Sequence, residues 1–364
     1  FNQMPRKDVA SWNAMITGYG EKGLVIDARE LFDSMPERNV VTWNAMIDGY
    51  GKHHFREEAV KLFHLMLRSL SKPNESTLTS VLVTLENTLE VMAIHGLATL
   101  LGFESDTSFR NALVTMYSRS GDLGSSRLAF EDLKAKDVVS WTSMILAYSY
   151  HGCGSYALQT FARMLRYGAK PDGVTLVGIL SACSHAGLIT KGRKVFDSMS
   201  QAFGLKHRAE HYSCLVDLLG RAGKLDEAKA VVSNIPPSDR DEGVLGALLG
   251  ACRVHGEIEV ASRVGEELIR LDRSGSGGYV LLANAYASRG MWGDAARVRK
   301  MMRERRVEKV PGFSSIEVRM RSHVFYVGDR VHPQADEIYA MLDDVLVPHM
   351  KDVGHLECIQ PLHV

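Results

Sequence analysis

One phrase recurs along the chain and limits the possible folds more than any other feature. ASWNAMITGY occupies residues 10–19, VTWNAMIDGY residues 41–50 and VSWTSMILAY residues 139–148. Looser copies begin at Arg110 (RNALVTMY), Tyr212 (YSCLVDLL), Leu245 (LGALLGAC) and Tyr279 (YVLLANAY). Trp12 and Trp43 lie 31 residues apart (43 − 12), and so do Asn111 and Thr142 (142 − 111). Self-similarity at a period of roughly 20–50 residues marks a solenoid and outranks other evidence on fold. Within one copy, Trp43, Met46, Ile47 and Tyr50 share one helix face. A second apolar run follows at Ala59, Leu62, Phe63, Met66 and Leu67, and the helix stops at Lys72-Pro73-Asn74, because proline cannot continue it.

Each unit therefore predicts helix, turn, helix. One such pair cannot bury its apolar face alone, but stacked pairs can. The expected fold is all-α: a right-handed α-α superhelical solenoid of about nine helical pairs, with a small mixed C-terminal extension. In that extension HVFYV (323–327) alternates like a strand, and IEV (316–318) can pair with it as a hairpin.

Composition narrows the function. The 364 residues are 45% hydrophobic and 24% charged, which excludes a disordered chain. Formal net charge is zero, so bulk electrostatic attraction to nucleic acid is not expected, and any RNA contact must be local and specific. The five cysteines, Cys153, Cys183, Cys214, Cys252 and Cys358, are scattered and form no CxxC, which reads as reduced thiols packed in a core. No run of ~20 apolar residues suggests a membrane span, and no transit peptide is evident. The opening FNQMPRKD is similar to LFDSMPERN (31–39), the end of a repeat, so the array is expected to begin before Phe1.

The series W-N-x-M-I-x-G-Y, A-x-x-L-F-x-x-M and K-P-D resembles the pentatricopeptide repeats of plant organelles, and not tetratricopeptide repeats. Unit lengths alternate as in the PLS subclass. Residues 1–8 read as the tail of a repeat and 9–240 as the repeat array. Within it, 9–39, 107–137 and 209–240 look S-type, 40–74 and 138–172 P-type, and 75–106 and 173–208 L-type. Residues 241–307 resemble paired E motifs, 308–355 the E+ extension, and 356–364 form a tail. Two departures stand out. Unit 75–106 is short for an L-type motif, and Ser315 stands where the family usually has tryptophan.

The resemblance implies a factor that binds single-stranded organellar RNA and selects cytidines for conversion to uridine. One base per helical repeat, read by two or three side chains, is the logic of this class. The family's reading positions, fifth and last in each unit, fall on Asn13 with Asn39, Asn44 with Asn74, Thr79 with Asp106, Asn111 with Asp137, and Thr142 with Asp172. Its stacking position, second in each unit, falls on Ala10, Val41, Ser76, Ser108, Val139 and Val174. The resemblance implies the order pyrimidine, pyrimidine, an unassigned base, U, G, with Val177/Arg208 and Ser213/Arg240 as weak readers. An asparagine amide both donates and accepts, threonine leaves room for a purine, and an aspartate accepts only.

Plainer readings exist. A terminal Asp or Asn can serve only as an N-cap for the next helix. The valines can be packing residues. Trp12, Trp43 and Trp141 share the phase of the buried face and read as core. A protein-interaction solenoid, or an RNA splicing or stabilisation factor, would share the fold. The E and E+ motifs favour editing.

Three strings imitate catalytic motifs. His207-Arg208-Ala209-Glu210-His211 matches a metalloprotease pattern but straddles two repeats. His355-Leu356-Glu357 is half of a zinc deaminase signature, and no P-C-x-x-C follows it. The basic tract 297–309 reads as a solvated helix face or a phosphate or partner patch. No catalytic residue, metal or cofactor is assigned. The implied partners are a DYW-type deaminase acting in trans and multiple organellar RNA editing factor proteins. The implied location is the mitochondrion, with the chloroplast as alternative.

Overall fold

The computed structural model describes residues 1, 4, 7–69, 71–236, 239–272, 274–309, 311–318 and 321–352. They fall into two compact units, Phe1–Val307 and Glu308–Val364.

The first unit is built from helix pairs. The leading helices are α1 (Val9–Glu21), α3 (Val40–Lys52), α5 (Glu75–Leu82), α7 (Thr107–Arg119), α9 (Val138–Tyr150), α11 (Gly173–His185), α13 (Ala209–Arg221), α15 (Glu242–His255) and α17 (Gly277–Ala287). The trailing helices are α2 (Val25–Ser34), α4 (Arg56–Arg68), α6 (Thr88–Leu101), α8 (Leu123–Glu131), α10 (Gly154–Arg166), α12 (Ile189–Phe203), α14 (Leu225–Asn234), α16 (Ile258–Leu271) and α18 (Trp292–Glu304). Each leading helix packs on its own trailing helix and on the leading helix of the next pair. The leading helices thus form one continuous wall, as a solenoid requires.

The expected apolar faces are where the core lies. Trp43, Met46, Ile47 and Tyr50 are buried with Ala59, Leu62, Phe63 and Met66. Leu67, placed in the same run by its spacing, is instead 44% exposed, because it falls one residue past the stripe set by Leu62 and Met66. Trp43 and Trp141 seal joins between pairs. The Trp43 ring meets Phe32 edge-on at 5.0 Å, and Trp141 meets Phe130 at 5.2 Å. Trp43 and Trp141 are core residues, Trp12 is half-buried against the core, and Trp292 is 61% exposed. Cys183 and Cys252 are buried thiols, and burial pushes both up to about 11.

A second set of joins was not anticipated. The last turn of each leading helix leaves carbonyls without an intrahelical partner. His53 Nε2 bonds the Gly20 carbonyl at 2.8 Å, His151 Nε2 the Ser118 carbonyl at 2.9 Å, and His255 Nε2 the Gly220 carbonyl at 2.7 Å. His185 Nδ1 does the same at Ser149 (3.1 Å), and Arg289 donates twice to Gly256. In each case a side chain of one pair satisfies the helix end of the pair before it.

α5 is the short element in the short unit. Thr84 Oγ1 donates back to the Val81 carbonyl at 2.7 Å, and the helix closes after eight residues.

The second unit opens on a hairpin. Strands β1 (Phe313–Val318) and β2 (Arg321–Tyr326) pair antiparallel, with Phe313 opposite Tyr326 and Ile316 opposite His323. The pairing begins three residues earlier than the spacing suggested and stops before Val327, which is 99% exposed. Helices α19 (Ala335–Met341) and α20 (Val347–Asp352) follow. His355, Glu357 and Cys358 of the deaminase-like string lie outside the described residues.

Candidate nucleic-acid interface

The joins between units carry the polar groups. Each leading helix in the array except α13 begins at an Asp or Asn whose side chain accepts the backbone N–H three residues on. Asn39 accepts from Thr42 at 3.0 Å, Asn74 from Thr77 at 3.0 Å, Asp106 from Phe109 at 2.7 Å, Asp137 from Ser140 at 2.7 Å and Asp172 from Thr175 at 2.8 Å. All five Asp and Asn last-position residues singled out in the sequence are therefore N-caps. An N-cap stabilises its helix by ~0.5–2 kcal/mol.

The same oxygens also meet the preceding unit. Asn13 Nδ2 donates to Asn39 Oδ1 at 3.4 Å, Asn44 Nδ2 to Asn74 Oδ1 at 3.1 Å, and Asn111 Nδ2 to Asp137 Oδ1 at 3.2 Å. Fifth and last positions are thus in direct contact in three units, and capping does not exclude that contact. Thr142 does not touch Asp172 directly. Its Oγ1 bonds Thr175 Oγ1 at 2.7 Å, and Thr175 Oγ1 donates to Asp172 Oδ1 at 2.7 Å. Thr79 and Asp106 are not joined. Thr79 Oγ1 donates to the Glu75 carbonyl of its own helix at 2.9 Å, and Phe109 offers no hydroxyl to bridge the gap.

The residues that complete these contacts were missed in the sequence. They are the hydroxyls third in each following helix: Thr42, Thr77, Ser140 and Thr175, all fully buried. Thr42 Oγ1 donates to Asn13 Oδ1 at 2.7 Å, and Thr77 Oγ1 to Asn44 Oδ1 at 2.6 Å. The signal was present: a Ser or Thr three places after an Asn or Asp is a reciprocal cap, since the hydroxyl also accepts the N-cap's own N–H.

Charge at the site is held by these donors. Burial alone would raise the Asp137 carboxyl, but the Ser140 N–H, the Ser140 hydroxyl and the Asn111 amide together hold it below its ordinary range. Asn111 is only 6% exposed, and its Oδ1 is buried with no partner.

Second-position residues stand out from the same wall. Val41, Val139 and Val174 are 58%, 57% and 56% exposed, and Ala10, Ser76 and Ser108 are exposed too. The valines are not packing residues. The exposed side chains of Val41, Val139 and Val174, each one turn from the fifth position of its unit, can meet the flat faces of bases.

The pattern fades along the array. At Arg208 the cap is replaced by His211, whose Nδ1 accepts the Arg208 N–H at 3.2 Å and whose Nε2 therefore donates to the Gly173 carbonyl at 3.1 Å. Both His211 nitrogens are spent, and His207 bonds the Phe196 carbonyl, so the metalloprotease-like string forms no metal site. Among the described residues no group of three His, Cys, Asp or Glu could hold a metal. At the next join the capping residue is Asp241, one place beyond Arg240, and the Ser213 hydroxyl donates to the Gly243 carbonyl at 3.1 Å. The basic tract covers the exposed face of α18 and the residues just past its end, with Arg297 paired to Asp294 at 2.9 Å, Lys300 to Glu304 at 3.7 Å, and Arg305 donating to the Tyr279 hydroxyl at 2.6 Å.

Comparison with known proteins gives these joins a context. The PPR repeat model matches residues 10–40, 139–168, 174–202 and 210–235, and a PPR repeat family model matches 38–85. The E motif matches 255–317 and the E+ motif 323–346. A putative mitochondrial pentatricopeptide repeat-containing protein of Arabidopsis thaliana is 39% identical over 365 residues, covering 98% of this chain and 53% of its own length. The chloroplastic protein CRR2 of the same plant is 40% identical over 361 residues, covering 98% and 50%. The chain thus spans about half the length of these relatives. Among solved structures, maize PPR10 aligns with a TM-score of 0.60 at 18% identity over 84% of this chain and 50% of that one. PPR10 in complex with an 18-nt psaJ RNA element gives 0.62 at 20% identity over 95% and 51%. Those two likenesses establish the solenoid fold.

Proposed function

The chain belongs to the pentatricopeptide repeat family, with the E and E+ motifs of its plant organellar members, and from that premise we propose that it binds single-stranded RNA base by base and selects sites for C-to-U editing. Its kinship is with RNA-binding repeat proteins rather than enzymes. The observation that supports the reading best is the repeated join. A fifth-position amide meets an N-cap oxygen at Asn13/Asn39, Asn44/Asn74 and Asn111/Asp137, and an exposed second-position residue stands beside each. A groove for a protein partner has no need of such repetition, whereas one base per unit requires it.

In this reading Asn13, Asn44, Asn111 and Thr142 face base edges, with Asn39, Asn74, Asp137 and Asp172 orienting them. Thr79 and Asp106 read weakly. Ala10, Val41, Ser108, Val139 and Val174 lie against base faces. The deaminase acts in trans, recruited through the E and E+ region, with multiple organellar RNA editing factor proteins as further partners. The compartment is the mitochondrion or the plastid; relatives carry both labels.

Sequencing organellar cDNA from plants lacking the gene tests the editing assignment. The expected result is that one or a few cytidines stay unconverted while transcript abundance and splicing are normal. Complete editing together with lost splicing or a lost transcript would overturn it in favour of a processing role.

A further inference from the structure

The wall of leading helices is interrupted at unit 75–106. α5 has 8 residues where α3 and α7 have 13, which leaves it ~7.5 Å shorter than either. A cavity of about 430 Å³ lies past its end, lined by His54, Arg56, Glu86, Arg119 and Tyr150 among others. That volume falls in the roughly 300–1,000 Å³ range of small-molecule sites. We propose that this cavity holds the base of the nucleotide opposite unit 75–106, turned out of the read series. The inference rests on the RNA-reading assignment above.

The place fits the need. Thr79 turns to its own helix and does not join Asp106, so a base at this unit meets no assembled pair. Arg119 lies eleven residues past Ser108 (119 − 108) and Tyr150 eleven past Val139 (150 − 139), about three helical turns in each case. Both therefore stand in line with the second-position residues of their units, ~16 Å further along the same wall. A base swung to the other side of its own phosphodiester points towards that end. The Tyr150 ring is 70% exposed and is set at 80° to His151, with 5.4 Å between ring centres. An aromatic face accepts any base, because every base has a π-face. That suits a position in the series that specifies none.

Charge argues for a base rather than a bare anion. Arg56 is offset by Glu90, bonded through both carboxylate oxygens at 2.5 and 2.6 Å, and by Glu86 at 3.7 Å. The Arg119 guanidinium has no partner among the described residues. One unpaired cation matches the phosphodiester of one nucleotide. His54 is the remaining sign. Two residues past the ends of α1, α7, α9, α11 and α13 the turn places a glycine in the left-handed region, as at Gly121 (φ 92°) and Gly152 (φ 68°). After α3 that place is held by His54, at φ 63°. A side chain is costly in this conformation, and such cost gathers where a ligand is held. The His54 imidazole has no partner among the described residues, and His54 lines the cavity.

Binding of the full chain to intact RNA, and to the same RNA with an abasic residue opposite unit 75–106, tests the proposal. Tyr150→Ala should weaken binding of intact RNA about tenfold, and Tyr150→Phe should not. The abasic residue should cost the unsubstituted chain the same factor and cost Tyr150→Ala nothing more. His54→Gly should raise the denaturant midpoint, because glycine adopts the left-handed turn freely, and yet weaken binding of intact RNA about threefold. A role confined to folding would not move the two readouts in opposite directions. Losses that add in Tyr150→Ala with the abasic RNA, an abasic residue that costs nothing, or His54→Gly binding as tightly as the unsubstituted chain would each overturn the inference. Failure of the unsubstituted chain to prefer any base opposite Asn44 or Asn111 would instead overturn the reading assignment itself.

Discussion

Exchanging Thr142 for asparagine should move the preferred base at one nucleotide from guanine to uracil. The swing in the G-to-U binding ratio should be ~10- to 100-fold, the range expected for gaining one two-point contact and losing another. Thr142 is 7% exposed and its hydroxyl is tied to Thr175, while Asp172 waits on the far side of that hydroxyl. Asparagine at this place reproduces the Asn111/Asp137 pair, whose amide reaches its aspartate at 3.2 Å. Neighbouring units keep their own contacts, so preferences elsewhere should hold. Fluorescence anisotropy with four RNAs differing at that nucleotide measures it. Equal changes for all four bases would mean that Thr142 supports the helix and does not face a base.

Gly154→Val should cost the array about 2–3 kcal/mol, seen as a lower denaturant midpoint by circular dichroism. A Cβ at Gly154 would lie 2.6 Å from Ala186 Cβ and 2.7 Å from the Ala182 carbonyl oxygen. One of those atoms is backbone, so the clash is relieved only by pushing α10 away from α11. Repeats are held by neighbour interfaces alone, so parting one join weakens the units on both sides. Gly96→Ala is the control. Gly96 lies inside α6 with nothing within 4 Å of its added Cβ, and alanine there should stabilise by about 0.5–1 kcal/mol. Equal midpoints for the two variants would contradict the packing described between α10 and α11.

Much of the fold was legible because it is periodic. The spacing of Trp43, Met46, Ile47 and Tyr50 named buried residues, and the repeat named the stacking of pairs. What escaped was what one pair does for the next. His53, His151 and His255 look like loop residues in the sequence, yet each closes the helix end of the preceding pair. No local pattern encodes a partner some 33 residues away (53 − 20). The candidate interface was legible in outline. Asn39 and Asn74 posed a choice between cap and base contact, and in space each oxygen meets both its own helix and the preceding amide. Thr42 and Thr77 went unseen because their value lies in the height of one helix against the next. Thr79 fits the spacing but turns to Glu75, since Phe109 puts a ring where the other joins have a hydroxyl.

Selection of bound sequences from a random pool of single-stranded RNA tests the central claim most directly. The account predicts an enriched series reading pyrimidine, pyrimidine, any base, U, G from 5′ to 3′, in the chain order of Asn13, Asn44, Thr79, Asn111 and Thr142. Recovery of no common series, or of one whose order bears no relation to those residues, would contradict it.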